Sequence, residues 1–297
     1  MALTYMNSKT AVPIAINTDT RKIMFLLPNS DIFQSIPNRN VNAVSFKCPY
    51  CKIILKSKQS FIHHITKSCE KKQHIAIHTK AKIELPLGET LRVIPSSQNE
   101  RILITGVPNC GKSYFANEYT KSYHQMFPER RIFLITRLQN DDTLKKDEKL
   151  YTKIEVTNEL LEDPFKLNDF ASSLVIFDDI ESSECPKATQ AMYNLLDDIC
   201  KNGRHVGSGI SVLFLNQECR MGKRTKPILS MLSGLVIFPR CCSTYQTERL
   251  LKEHIGFSNS QIQHIFSLNS RWIYINRSCP MYVVHEHGAY MVGKEIY

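Results

Sequence analysis

The chain has 297 residues, enough to bury one α/β core of ordinary size together with a small appendage. Its formal net charge is +10, and the first hundred residues hold fourteen Lys or Arg against six Asp or Glu, so most of the basic excess sits there. That asymmetry points to a polyanionic partner for the N-terminal third, with a solvated basic surface as the plainer alternative, and no apolar run approaches the roughly 18 to 20 residues that cross a bilayer, which argues against a membrane partner. Ten cysteines occur without a basic, apolar, small-residue leader, so a reducing compartment is expected rather than a disulfide framework.

Residues 1–43 carry one apolar run, Ile23 to Leu27, which could be a strand added to a core or a docking segment; spacing alone does not choose. Residues 44–82 form a second unit. There Cys48, Cys51, His64 and Cys69 follow C-x2-C-x12-H-x4-C, with Leu55 and Phe61 at the positions of a minimal core. Two thiolates on a β turn and an imidazole plus thiolate on one helix close a tetrahedron around Zn2+, so a CCHC-ligand zinc finger is expected. His63 is the alternative third ligand. Nine lysines between Lys47 and Lys82 face one glutamate, so nucleic acid is the expected partner of this unit. The polar, Pro-containing stretch from Lys82 to Asn99 is expected to divide it from residues 83–297.

Arg101 to Thr105 (RILIT) reads as a buried strand. It runs into Gly106-Val107-Pro108-Asn109-Cys110-Gly111-Lys112-Ser113, which fits the Walker A pattern G-x-x-x-x-G-K-S/T. Glycines at these positions let backbone N–H groups face phosphates, Lys112 reaches the β and γ oxygens, and Ser113 places its hydroxyl on Mg2+. Phe115, Tyr119, Tyr123 and Met126 then recur at helical spacing until Pro128. Arg131 to Thr136 (RIFLIT) is another buried strand. Leu174 to Asp179 (LVIFDD) is an apolar strand ending in two carboxylates, as a Walker B strand does: Asp178 is the candidate second Mg2+ holder, and Asp179 or Glu181 the candidate base for the attacking water.

Ala188, Met192, Leu195 and Ile199 mark an amphipathic helix closed by Asn202-Gly203. Ile210 to Gln217 (ISVLFLNQ) is a strand with amides at its carboxyl end, where ligands sit in open α/β sheets, and Leu235 to Phe238 offers a further strand. Strands interleaved with helices around this loop predict a doubly wound, mostly parallel α/β P-loop NTPase that binds ATP.

Asn202-Gly203-Arg204-His205 followed by Ile210-Ser-Val-Leu-Phe-Leu-Asn-Gln217 resembles the G-R-H…I-S-V…Q signature of viral genome-packaging ATPases of the FtsK/HerA type, a group that includes poxvirus-like, virophage and polinton or Maverick members. The resemblance covers roughly Arg92 to the C-terminus. It implies a homo-oligomeric ring motor that drives double-stranded DNA into a preformed capsid, at the site of virion assembly in the host cell, nucleus or cytoplasmic virus factory, and in contact with the virion. It also makes Arg204 the arginine finger and Gln217 the polar sensor. The basic loop holding Arg220, Lys223, Arg224 and Lys226 is a candidate DNA contact. Two departures stand out: the acidic strand ends Asp-Asp where many of that family end Asp-Glu, and poxvirus-like members lack the N-terminal arm. A helicase or DNA remodeller on the same core, and a nucleotide-switched DNA-binding adaptor, are the alternative readings.

Overall fold

In a computed structural model the protein is described at residues 2–5, 7, 11–27, 46–47, 53–55, 60, 64, 81–137, 147–180, 185–217 and 225–293. The strands in chain order are β1 (Ala2–Thr4), β2 (Val12–Asn17), β3 (Ile23–Leu27), β4 (Phe46–Lys47), β5 (Ile54–Leu55), β6 (Lys82–Glu84), β7 (Leu91–Val93) and β8 (Arg101–Thr105). They continue as β9 (Arg131–Thr136), β10 (Thr152–Glu155), β11 (Ser173–Asp178), β12 (Ser211–Asn216), β13 (Gly234–Ile237), β14 (Ile273–Asn276), β15 (Tyr282–His285) and β16 (Gly288–Met291). The α-helices are α1 (Lys112–Met126), α2 (Pro186–Asn202), α3 (Thr225–Met231), α4 (Thr244–Leu250) and α5 (Asn259–Ser267).

Ten strands make one sheet in the order β10-β9-β11-β12-β8-β13-β14-β15-β16-β6. From β10 to β13 the neighbours run parallel, and from β13 onward each pair is antiparallel. Apart from edge strand β10 (TKIE), the parallel strands read as continuous apolar runs because both faces are covered. Successive residues enter opposite cores: Ile102, Leu174, Ile176, Leu213 and Val236 pack with Phe115, Tyr119 and Tyr123 of α1, whereas Leu103, Val175, Phe177, Val212 and Leu235 pack with α2 through Met192, Leu196 and Ile199. Helices α3 and α5 extend the second layer through Ile228 and Ile262. The result is the doubly wound P-loop NTPase arrangement expected, with six parallel strands and an antiparallel extension that the sequence pattern did not announce.

A second sheet, β1-β3-β2-β7, lies on the α1 face, where Leu3, Ile14 and Met24 join the same core as Ile102 and Tyr119. Ile23–Leu27 is therefore a strand, but in this added layer rather than in the main sheet. The stretch 82–99, read from sequence as a divide, supplies strands to both sheets: β6 pairs with β16 and β7 with β2. Along α1 the buried stripe passes through Phe115, Tyr119 and Tyr123 to Phe127, whose ring lies 5.0 Å from that of Tyr123. Met126, expected on that face, is off the stripe and 38% exposed.

β4 and β5 form a hairpin with Phe46 opposite Leu55 and Lys47 opposite Ile54. Of the expected zinc ligands, Cys48, Cys51 and Cys69 lie outside the described residues, as do Glu181, Arg220, Lys223 and Arg224. Among the described residues no group of three or more His, Cys, Asp or Glu is placed to hold a metal, and no helix is long and apolar enough to cross a membrane.

Candidate nucleotide-binding site

The loop Gly106–Ser113 leaves the carboxyl end of β8 and enters α1. Two of its residues take left-handed backbone, Asn109 at φ 63° and Gly111 at φ 106°, and the second is a conformation that glycine adopts without steric cost. Gly106 is demanded by contact instead: a Cβ there would stand 2.6 Å from Cys110 Sγ and 3.0 Å from Phe238. Cys242 Sγ is 3.4 Å from the same point, so the segment after β13 forms the floor of the loop. Burial pushes the Cys110 thiol up, with the Lys112 ammonium pulling the other way.

The donor set fits a phosphate. Gly111 caps α1 without any side-chain hydrogen bond to its first turn, and that turn holds no acidic residue, so the positive end of the helix is uncompensated by the chain. Lys112 bends back over the loop, its Nζ donating to the carbonyl oxygens of Gly106 at 2.7 Å and Val107 at 2.9 Å. Ser113 follows at the same helix end.

Sheet order brings the other candidates to this edge. β12 pairs with β8 so that Asn216 faces Thr105, and the Gly106 N–H donates to Asn216 O at 3.2 Å. β11 lies beyond β12 and ends in Asp178, 6% exposed. Asp179 turns off that strand at φ 53°, a left-handed backbone that costs a non-glycine residue about 1–2 kcal/mol. Its Oδ1 accepts a hydrogen bond of 2.6 Å from Gln217 Nε2. Strain of this kind persists where surrounding structure holds it, often at functional sites. Lys112, Ser113, Asp178, Asp179 and Gln217 thus share one edge of the sheet, and one of the two carboxylates read from sequence as the candidate base is tied directly to the amide read as a sensor.

Arg204 is elsewhere. It sits on the 3-10 turn Gly203–His205 that ends α2 and precedes the amino end of β12, whereas the loop lies at the carboxyl ends. A six-residue strand separates those edges by roughly 20 Å. Arg204 is exposed, and its Nε is 2.8 Å from His205 Nε2, which holds the guanidinium at the surface. Sequence reasoning assigned His205 nothing. It also missed Phe238 and Cys242, which a motif on one strand cannot point to, and Arg130, whose role depends on contacts with distant loops.

No protein-family model matches the chain. It is similar to an uncharacterized protein of Sputnik virophage, 29% identical over 210 residues that span 71% of this chain and 84% of the relative. Among solved structures it is similar to the genome packaging NTPase from Sulfolobus turreted icosahedral virus 2 in complex with ATP-gammaS, with a TM-score of 0.40 and 11% identity, covering 63% of this chain and 98% of that one. It is also similar to the pCW3 conjugation coupling protein TcpA, with a TM-score of 0.43 and 10% identity, covering 95% of this chain and 76% of that one.

Proposed function

We propose that the chain is an ATP-hydrolysing motor that moves double-stranded DNA into a viral capsid as part of a homo-oligomeric ring. The observation that carries the catalytic half of this reading is the meeting of the Lys112–Ser113 loop, the Asp178–Asp179 strand end and Gln217 on one sheet edge. The DNA half rests on the Gly203-Arg204-His205…Gln217 signature, on the basic N-terminal third and on the relative in a virophage, which also favours a host cell during virion assembly as the setting.

In this mechanism the first turn of α1 and the Lys112 ammonium hold the β and γ phosphates of ATP, with Lys112 exchanging its two loop carbonyls for phosphate oxygens. Ser113 Oγ and the Asp178 carboxylate would hold Mg2+, which when bound neutralises charge on the phosphate oxygens. Asp179 accepts the proton of the attacking water as its oxygen bonds to the γ phosphorus and the bridging oxygen departs with ADP. Gln217 holds Asp179 at 2.6 Å and reaches the γ-phosphate from the end of the neighbouring strand β12, coupling the arrival of nucleotide to the position of the base. Arg204, too far to serve its own loop, reaches a neighbouring subunit's γ-phosphate. Cys48 and Cys51, which lie in sequence between the paired strands β4 and β5, would with His64 and Cys69 hold Zn2+ and let the basic module grip duplex DNA or a capsid or portal component.

The test is steady-state ATP turnover across protein concentrations, with and without long duplex DNA. Turnover that climbs with concentration and rises further with intact duplex supports the motor. Turnover that ignores duplex overturns it in favour of a nucleotide-switched adaptor, and unwinding of forked DNA overturns it in favour of a helicase.

A further inference from the structure

Beside the phosphate loop lies an open cleft lined by α1, by the segment before β14 and by residues flanking the added N-terminal sheet. One wall is the exposed face of α1, where Tyr114 is 58% exposed one residue after Ser113. Arg271 and Trp272, which lead into β14, line another side, and Trp272 packs edge-on against Phe115 with ring centroids 5.2 Å apart. The rim is the added N-terminal sheet, through Thr18 and Thr90, whose hydroxyls are 2.7 Å apart.

Topology sets this cleft at the phosphate-binding edge. β13 is parallel to β8, and β14 returns antiparallel with Ile273 opposite Ile237, so Trp272 stands at the same sheet edge as Phe238, the residue beneath the loop. β14 is two strands from β8, about 10 Å, a span that the sugar and base of a nucleotide can cover. Glu286, 4% exposed, accepts from the Arg271 backbone N–H at 2.5 Å and from its Nε at 2.6 Å, and Arg92 of β7 is paired with Glu118 of α1 at 2.8 Å.

The geometry points to this cleft as the seat of the nucleotide's base, taken between Tyr114 and Trp272, with the Thr18 and Thr90 hydroxyls facing its polar edge. The assignment rests on the nucleotide reading above and extends it. It also accounts for the N-terminal sheet, a layer that the P-loop core does not need and that here closes the base side of the site. Aromatic faces recognise a base by stacking, which tolerates different bases, while the hydroxyls at the rim supply what selectivity there is.

Trp272 is the single tryptophan of the chain, so the protein carries its own reporter. With Mg2+ present, ATP should change tryptophan emission, whereas inorganic tripolyphosphate, which has the phosphates and no base, should bind without changing it. Tyr114→Ala, at an exposed position that should not disturb folding, should weaken ATP by about tenfold or more and leave tripolyphosphate binding unchanged, as measured by calorimetry. Equal affinities for the two probes in the unaltered protein, with emission unmoved by ATP, would overturn the base site while leaving the phosphate loop standing. Failure of both probes to bind would overturn the nucleotide reading and this assignment with it.

Discussion

His285 ends β15 at 6% exposure, and its Nε2 has no hydrogen-bond partner among the described residues. Burial lowers its pKa to about 4; the cationic surroundings of His287, Lys82 and His264 push the same way and Glu84 pushes back. The unfolded chain binds this proton near the ordinary pKa of about 6.5, so folding is favoured fully above that value and is penalised as pH falls from 6.5 toward 4. The penalty approaches about 3 kcal/mol. Urea unfolding at pH 7 and pH 4.5 should show that loss on top of the carboxylate background, and His285→Gln should shrink the difference between the two conditions. At this scale the loop was readable from sequence because its glycines, lysine and serine encode a backbone shape and a charge locally. His285 was not readable, since nothing in Val-Val-His-Glu says that the ring faces inward beside Lys82 and Glu84.

The turn that carries Arg204 is built from distant parts. Arg130, 5% exposed, donates to Ser208 O at 3.0 Å, Gly209 O at 3.4 Å, Gln98 Oε1 at 2.9 Å and Tyr123 Oη at 3.0 Å, and also bonds Ser208 Oγ. It fastens the segment between α2 and β12 to the end of α1 and the entry of β8. Gly209 has φ 99°, and a Cβ there would overlap Asn99 Oδ1 at 1.4 Å. Arg130→Ala leaves several buried acceptors without a donor, and Gly209→Ala combines strain with collision. Each should cost about 2–4 kcal/mol, lowering Tm by roughly 3–6 °C, while nucleotide binding at the far end of α1 persists. Calorimetric melting with a parallel nucleotide titration checks both halves. The inner strands of the parallel core were legible because burial on two faces writes an unbroken apolar run, as in RIFLIT, whereas edge strand β10 (TKIE), half exposed, was not. Four-residue β14, β15 and β16 leave too short a pattern, and the pairing of β6 with β16 joins Ile83 to Ala289, a match no local signal encodes.

For the whole molecule, the separation of Arg204 from Lys112 by the length of the sheet turns a residue role into a statement about assembly. If Arg204 works only on a neighbour, each catalytic unit contains Lys112 of one subunit and Arg204 of the next, as in a head-to-tail ring. Arg204→Ala should then lower kcat by about 10³-fold or more without weakening nucleotide binding, and Lys112→Ala should abolish both. Neither variant alone recovers on raising its concentration. Mixed in equal amounts and allowed to exchange subunits, they should recover turnover, because about one interface in four then pairs an intact Lys112 with an intact Arg204 under random mixing. A guanidinium acting within its own subunit gives a different result, since every chain in the mixture still lacks one of the two groups and the mixture stays as inactive as its components. In the proposed ring the recovered rate should also rise with duplex DNA, because the interface that completes the site is then the one that DNA binding holds closed.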